Sequence, residues 1–484
     1  MTDLSNLSPT KVWSFFEKIC SIPHPSHHLE KISAFIIQWA KSKDLAVELD
    51  ESGNILIKKA ATPGYENTPK VALQGHLDMV PQKNNDTAHD FVQDPIQAYV
   101  DNQWVTAKGT TLGADNGIGV SAALAVLDSD DIIHGPLEVL LTTDEETGMF
   151  GAFALKSGWL QSDILLNMDS EEEGEVCIGC AGGIDASITL GIKRVPLNDK
   201  TQTYQLIFTG LNGGHSGAEI HLGRANALKV LGRFLSIVKE DIQLLEVSGG
   251  TLRNAIPREA KAILALTDQQ YQTCQTALFD FISLLKIEQK NIDNNISASL
   301  TRTDNSLLAF SDMDKDRVIA TIDAAPNGVD KMSQDFTNVV EASLNFGILS
   351  TTQNEVNLHF LLRSLVDSSK EAIVSKLKSL AYLSGANIKL SGEYSGWKPN
   401  PDSKVLALFT QCYQERYQKM PEVKVIHAGL ECGIFAHPYP NMDMISFGPT
   451  IRHPHSPSEE IEIKTVSLFF DQLKDVLAAI AQEK

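Results

Sequence analysis

Cysteine is scarce, with six in 484 residues. So few cannot build the disulfide framework of a small secreted scaffold, and they read as thiols in reducing surroundings. Long apolar runs are missing too. No stretch approaches the roughly 18 residues that span a bilayer, and the opening "MTDLSNLSPTKVWSFFEKIC" lacks a basic start followed by an apolar core. Neither a membrane span nor an export signal is therefore expected, and the cytosol is the expected compartment. No segment is enriched in Lys and Arg; the chain carries 61 Asp plus Glu against 41 Lys plus Arg, a formal charge of −20. Such a field repels phosphate backbones and anionic lipid, which argues against nucleic acid and membrane surfaces as partners. Internal repeats and low-complexity segments are also lacking. The one cysteine spacing that invites chemistry, Cys177 and Cys180 in "CIGC", runs into "AGGID" rather than a helix. No second pair exists to complete a four-thiolate zinc site.

What is present is enough for two ordinary cores: 43% of the residues are apolar, and the length exceeds the roughly 250 to 300 residues at which one core stops growing. Ser8 and Pro9 have the chemistry of a helix cap and first turn, followed by Val12, Phe15, Phe16 and Ile19 at helical spacing. A second amphipathic helix runs through Leu29, Ile32, Phe35, Ile36 and Trp39. The short runs "NILIKK", "KVALQG", "LEVLLTT" and "DILLNMD" read as buried strands, and "GADNGIGVSAALAVLDS" as a glycine-rich start to a small-residue helix. This alternation implies an α/β fold with helices on the faces of a sheet. From about Ile184 to Gly396 the pattern changes, with strands at "TYQLIFTG", "SLNFGIL" and "EVNLHFLLRS" and a long helix after Arg224. "GEYSGWKPNPDSK" reads as the linker back, after which helix and strand alternate again. The expected organisation is a discontinuous domain of residues 1–183 and 397–484, with an inserted domain of residues 184–396.

The chemistry collects at strand ends. "VALQGHLDMV" closes its apolar run with His76 and Asp78, which point the same way on an extended backbone. Asp78 is then placed to hold the imidazole in one tautomer from behind. Alone, the pair would equally suit a surface turn. Asp115 in "GADNG" opens a helix and alone would be a cap. Asp169 follows the strand "DILLNM", with Glu171, Glu172 and Glu173 read as a solvated loop behind it. His453 and His455 follow "MDMISFG". "VLLTTDEETG" ends in three acids, Asp144, Glu145 and Glu146, that repel one another unless cations sit between them. Together His76, Asp115, Glu146, Asp169 and His455 are the donor set of a paired divalent metal site. Zinc takes imidazole and carboxylate at about 2.0 to 2.2 Å, and two such ions about 3.5 to 4 Å apart usually share a carboxylate. Glu145, beside a ligand and not itself needed as one, is the candidate general base.

The segments "GHLDMV", "GADNGIG", "TTDEETG", "NMDSEE", "NGGHSG", "HAGLECG" and "HPHSPSE", in this order along nearly the whole chain, resemble the aminoacylase and carboxypeptidase-like family of two-zinc peptidases. The resemblance is strongest to its branch of aminoacyl-histidine dipeptidases. It implies that His76 and Asp169 hold one metal, that Glu146 and His455 hold the other, and that Asp115 bridges them before a cis peptide to Asn116. It also implies Glu145 as base, Asp78 as the residue orienting His76, and a catalytic α/β domain with a central mixed sheet, interrupted by an inserted α+β lid. On the lid, His215 matches a histidine that helps hold the oxyanion. Arg363 and Asn254 are candidates for gripping a substrate carboxylate. Glu431, on charge alone, is a candidate for the substrate amine.

The implied activity is hydrolysis of unblocked dipeptides, preferably Xaa-His such as β-alanyl-histidine, with two divalent ions as cofactors. Zinc is the first choice by ligand type, and Co²⁺ or Mn²⁺ is able to replace it. A homodimer through the lid is also implied. The same donor set would serve a broader di- or tripeptidase or an N-acyl amino acid deacylase. A metal-binding partner protein without catalysis is the alternative from another class, and it would have no use for Glu145.

Overall fold

The apolar runs of the first third form strands because each is short, rich in branched side chains and stopped by a polar residue or glycine. In the computed structural model, which describes residues 4–84 and 86–483, the chain divides into two compact units. The first is drawn from Met1–Cys180, Trp397–Val425 and Leu430–Lys484, the second from Ala181–Gly396 and Ile426–Gly429.

The first unit is built on an eight-stranded sheet in the order Ala46–Leu49, Ile55–Lys59, Leu137–Thr142, Val71–His76, Ile164–Asn167, Asp443–Ser446, Glu175–Cys180, Glu422–Ile426. The middle four strands are parallel, whereas Ile55–Lys59 runs antiparallel to Leu137–Thr142. Val71–His76 and Leu137–Thr142 are buried along their whole length, as strands covered on both faces must be. Parallel register sets His76 beside Thr142 and Gln74 beside Asn167. The carboxyl ends of these strands therefore share one edge, where open α/β sheets carry their sites.

Helix Ala114–Leu127 is buried from Asn116 to Leu127, and its small side chains admit Thr10–Cys20 at close range. A Cβ on Gly117 would lie 3.2 Å from the Phe16 ring. A separate four-stranded sheet orders Ile451–Arg452, Glu460–Glu462, Trp104–Ala107 and Ala98–Asp101. The first helix begins at Thr10 with Pro9 in the cap position and no side-chain cap. Ser8 does not cap it; the Ser8 carbonyl instead accepts Trp13 Nε1 at 3.1 Å and Ser467 Oγ at 2.7 Å. "CIGC" lies in the buried strand Glu175–Cys180.

The second unit carries a nine-stranded sheet running Ser297–Arg302, Gln202–Thr209, Ala260–Leu266, Gln243–Gly249, Val340–Thr351, Glu355–Ser364, Gly182–Gly191, Asn387–Tyr394, with Gly328–Met332 paired to Val340–Thr351. Its pairings are antiparallel. Alternate strand residues such as Leu206, Phe208, Leu358 and Phe360 share one core with Leu231 and Phe234 of helix Ala227–Val238, Phe281 of Asp268–Glu288, Ile322 of Asp312–Ala324 and Leu377 of Asp367–Ser384. Each such side chain contributes roughly 1.5 to 3 kcal/mol by leaving water. This is the α+β pattern expected of the insert. The expected linker is shorter than "GEYSGWKPNPDSK", because Gly392–Tyr394 complete the strand Asn387–Tyr394. The division between units falls at Gly396 and Trp397.

Candidate metal centre

Five of the side chains singled out by the sequence converge on the carboxyl edge of the parallel strands in the first unit. His76 ends its strand, and its Nε2 stands 3.0 Å from Asp115 Oδ1 and 3.4 Å from Asp169 Oδ1. His455 Nε2 stands 3.1 Å from Asp115 Oδ2 and 3.0 Å from Glu146 Oε2. Asp115 thus turns one oxygen to each imidazole, between two half-sites of one histidine and one further acid each. The ligand atoms of His76, Asp115 and Glu146 lie within 4.8 Å of one another.

Local backbone explains the convergence. Asp115 sits at the start of helix Ala114–Leu127 yet departs from helical geometry, with φ −82° and ψ 107°, behind a left-handed Gly113. The Asp115–Asn116 peptide is cis. Asn116 Nδ2 donates to the carbonyl of Met168 at 2.6 Å, tying this turn to the residue before Asp169. Asp115 is therefore no helix cap. His455 is itself in the left-handed region, at φ 59°.

Asp78 is buried against His76, but in a different manner from the one expected. His76 Nδ1 meets the Asp78 carbonyl at 3.0 Å, while the Asp78 carboxylate is 3.5 Å away. That carboxylate accepts Ser26 Oγ at 2.8 Å and the backbone N–H groups of Glu145 and Glu146 at 2.9 and 3.2 Å. With Nδ1 facing a carbonyl, a neutral His76 keeps its proton there and presents a bare Nε2, as a metal ligand must.

The electrostatics are those of acids crowded out of water. Burial pushes the Glu145 carboxyl well above the usual range; His76 opposes the shift, and Asp169, Glu431 and Glu146 add to it. Burial, partly offset by His76, likewise carries Asp169 up to about 6. His455 is raised to about 11 by its hydrogen bonds to Asp115 and Glu146. Glu146 Oε1 and Asp169 Oδ1 are buried and receive no hydrogen bond. Buried acceptors without donors are costly, and a divalent cation relieves both the missing partners and the like charges. Imidazole and carboxylate are also the donors that zinc takes. The residues fit the ion pair that the sequence called for.

Glu431 begins the short helix Glu431–Phe435 and is fully buried. Its Oε2 accepts Gln74 Nε2 at 2.5 Å and Thr142 Oγ1 at 2.8 Å, whereas Oε1 makes no hydrogen bond. Three other expected residues belong to the second unit. His215 Nδ1 accepts the N–H groups of Gly217 and Ala218 at 3.3 and 3.0 Å. Burial and the Arg363 guanidinium lower its pKa, so the neutral ring carries its proton on Nε2. Arg363 is buried on Glu355–Ser364, donates to Tyr394 Oη at 3.3 Å, and has an unpartnered Nε. Asn254 is exposed, and its carbonyl accepts Ser216 N at 2.9 Å.

A model of the peptidase family M20/M25/M40 matches residues 72–479. The chain belongs to this family. The peptidase is 50% identical over 482 residues, 99% of both chains, to the cytosol non-specific dipeptidase of Escherichia coli (strain K12). Its structure matches that of the aminoacylhistidine dipeptidase from Vibrio alginolyticus with a TM-score of 0.92 and 52% identity, over 99% of this chain and 98% of the other. A tripeptidase from Staphylococcus aureus, at 15% identity and a TM-score of 0.60, covers 99% of this chain and 100% of its own and shares the fold.

Several residues of this peptidase escaped the sequence reading. Ser26 and His27, in "PHPSHH", brace the acidic loop, Ser26 through Asp78 and His27 through a backbone N–H to Asp144 Oδ1 at 2.6 Å. The density of His, Ser and Pro there was a signal. The three glutamates after Asp169 do form a partly exposed loop, but each is more than solvated charge. Burial and the nearby Asp115 and Asp169 lift Glu171 to about 8, Glu172 pairs with Arg452 at 2.6 Å, and Glu173 accepts Tyr413 Oη at 2.6 Å. Chain crossings bring those partners, and no local pattern announces them.

Proposed function

We propose that this peptidase is a dinuclear metal-dependent dipeptidase acting on unblocked dipeptides, with a preference for C-terminal histidine as in β-alanyl-histidine, and with zinc as its metal. The observation that carries the reading is Asp115 with one oxygen on each imidazole, 3.0 Å from His76 and 3.1 Å from His455, beside Glu145. His76 and Asp169 would hold one ion, Glu146 and His455 the other, and Asp115 both. When bound, the ions would polarise the scissile carbonyl and lower the pKa of an attacking water.

The chain's own groups supply the rest. Glu145, held protonatable by its buried acidic surroundings, takes the proton of the water and returns it to the leaving amine. His215 offers Nε2–H to the developing oxyanion, because its Nδ1 is already engaged as an acceptor. Arg363, with an unpartnered Nε, and Asn254 are assigned to the substrate carboxylate. Glu431 Oε1 is an acceptor without a donor, which supports its assignment to the substrate amine. The second unit is assigned the role of a lid that excludes water on closing and of the surface through which two copies pair. A cytosolic setting is supported by the name of the Escherichia coli relative; among the described residues no helix is long and apolar enough to cross a membrane.

The deciding experiment is histidine release from β-alanyl-histidine beside other dipeptides and an N-acetyl amino acid, before chelation, after it, and after zinc is restored. Metal-reversible cleavage concentrated on Xaa-His is the expected result. Equal turnover of other dipeptides would replace the preference with the broader dipeptidase reading, which the word "non-specific" in the name of the Escherichia coli relative favours. Turnover of the acetylated compound would point to a deacylase, and no turnover of anything would sink the enzymatic reading.

A further inference from the structure

Helix Ala114–Leu127 begins, like any helix, with backbone N–H groups that have no partner inside it. Here two of them, together with the N–H groups of the two residues before the helix, converge on one buried side chain from far along the chain. Glu459 Oε2 accepts the N–H groups of Leu112 and Gly113 at 2.8 and 3.0 Å, and Oε1 those of Ala114 and Asp115 at 2.8 and 3.2 Å. Glu459 is 2% exposed, so water does not compete for these bonds.

The clamp is itself rigidly mounted. The Glu459 carbonyl accepts Thr106 Oγ1 at 2.8 Å, its N–H reaches the Ser456 carbonyl at 3.0 Å, and the next residues, Glu460–Glu462, pair with Trp104–Ala107. It stands four residues after His455, so one short segment carries both a proposed ligand and the anchor of the bridging carboxylate. The anchored turn is one that regular helix geometry would not hold, since Asp115 and Asn116 depart from helical φ and ψ. A side chain at Gly113 would strain a backbone at φ 73° and press on Met79 Sδ at 3.0 Å, so the turn cannot easily be rebuilt otherwise.

We infer that Glu459 is the positioning residue of the metal centre: its carboxylate fixes the 112–115 turn so that Asp115 presents one oxygen to each half-site, and it couples that turn to the His455 loop. This rests on the metal assignment above and extends it to a residue that touches neither metal nor substrate.

Replacing Glu459 with Gln keeps its size but leaves one acceptor oxygen for four donors and turns an NH₂ group against two of them. The metal-free wild type, Glu459→Gln and Glu459→Asp are titrated with Co²⁺ against a competing chelator, and the visible spectrum of each loaded protein is recorded. Circular dichroism and thermal melts verify the fold. The expected result for Glu459→Gln is Co²⁺ binding weaker by about 10- to 100-fold, the usual effect of losing a residue that orients a ligand, with an altered ligand-field band. Glu459→Asp, which keeps the charge one methylene short, should fall between. Wild-type affinity and an unchanged band in Glu459→Gln would overturn the inference while leaving the metal site intact. A wild type that binds no Co²⁺ would instead overturn the metal assignment itself. If Glu459→Gln does not fold, Glu459→Asp is read by the same two measurements. Independently of any variant, the amides of residues 112–115 in the metal-free wild type should exchange slowly with deuterated solvent; free exchange there would also overturn the inference.

Discussion

The Asp78 carboxylate accepts the backbone N–H of Glu145 at 2.9 Å on one oxygen and that of Glu146 at 3.2 Å on the other. One buried acid thereby fixes the loop on which the proposed base and a proposed ligand stand side by side. Asn at this position leaves a single acceptor oxygen and sets an NH₂ against one of the two donors. For Asp78→Asn we expect kcat to fall about 10²-fold, the scale of a misplaced catalytic group, with a much smaller change in KM. Steady-state kinetics on a cleaved dipeptide check this, and wild-type kcat would remove Asp78 from the support of the site.

Burial and the neighbouring acids raise the Glu145 carboxyl well above the usual carboxylate range, the direction that a shuttle between water and amine needs. Glu145→Gln preserves the shape and removes the base. Turnover should drop by about 10² to 10⁴, the usual contribution of general base catalysis, while metal content measured by elemental analysis stays at the wild-type value. Loss of metal along with activity would make Glu145 a ligand, and undiminished turnover would return the choice to another base.

The strands and the five clustered side chains were legible in the sequence because each depends on a local pattern. His76 ends an apolar run, Asp169 follows another, and Glu146 stands in a triplet of acids that makes sense only with counter-charge. Partners supplied by distant crossings were not legible. Gln74 and Glu431 are separated by 357 positions, and Asp115 and Glu459 by 344. Asp78 shows the limit from the other side: its proximity to His76 followed from strand geometry, but the Ser26, Glu145 and Glu146 donors that claim its carboxylate come from other segments. Glu171 to Glu173 read as solvated because charge runs usually are; the loop stays partly exposed, but Tyr413 reaches Glu173 and Arg452 pairs with Glu172 from distant segments.

Metal should act on stability as well as on rate. Asp115, Glu146 and Asp169 are held close together with two buried oxygens lacking donors, a cost that the folded state bears and the unfolded chain does not. A ligand that binds only the folded form stabilises it by about 2.7 kcal/mol at a hundred times its Kd. Chelation should therefore lower Tm and abolish turnover together, and zinc should restore both. In a His76→Ala, His455→Ala double variant, zinc should leave Tm where it is. A wild-type Tm that ignores zinc would contradict the metal assignment.

His427, in the second unit, offers a pH test away from the acidic cluster. It is buried, with Nε2 2.7 Å from Ser343 Oγ, and burial followed by the Arg363 guanidinium lowers its pKa to about 3. An unfolded chain takes up this proton below about 6.5, whereas the folded protein does not until about 3. Between those values the unfolded state binds more protons, so stability rises with pH and is lost as pH falls from 6.5 towards 3. His427→Asn should be less stable than wild type at pH 7.5, having lost a fitted side chain, but its deficit should shrink by about 2 kcal/mol at pH 5, since only the wild type bears this proton penalty. Urea unfolding of both proteins at the two pH values measures the deficit directly. All other titrating groups are common to the pair and cancel, so a deficit that stays constant would mean that His427 is protonated in the folded state or reaches solvent.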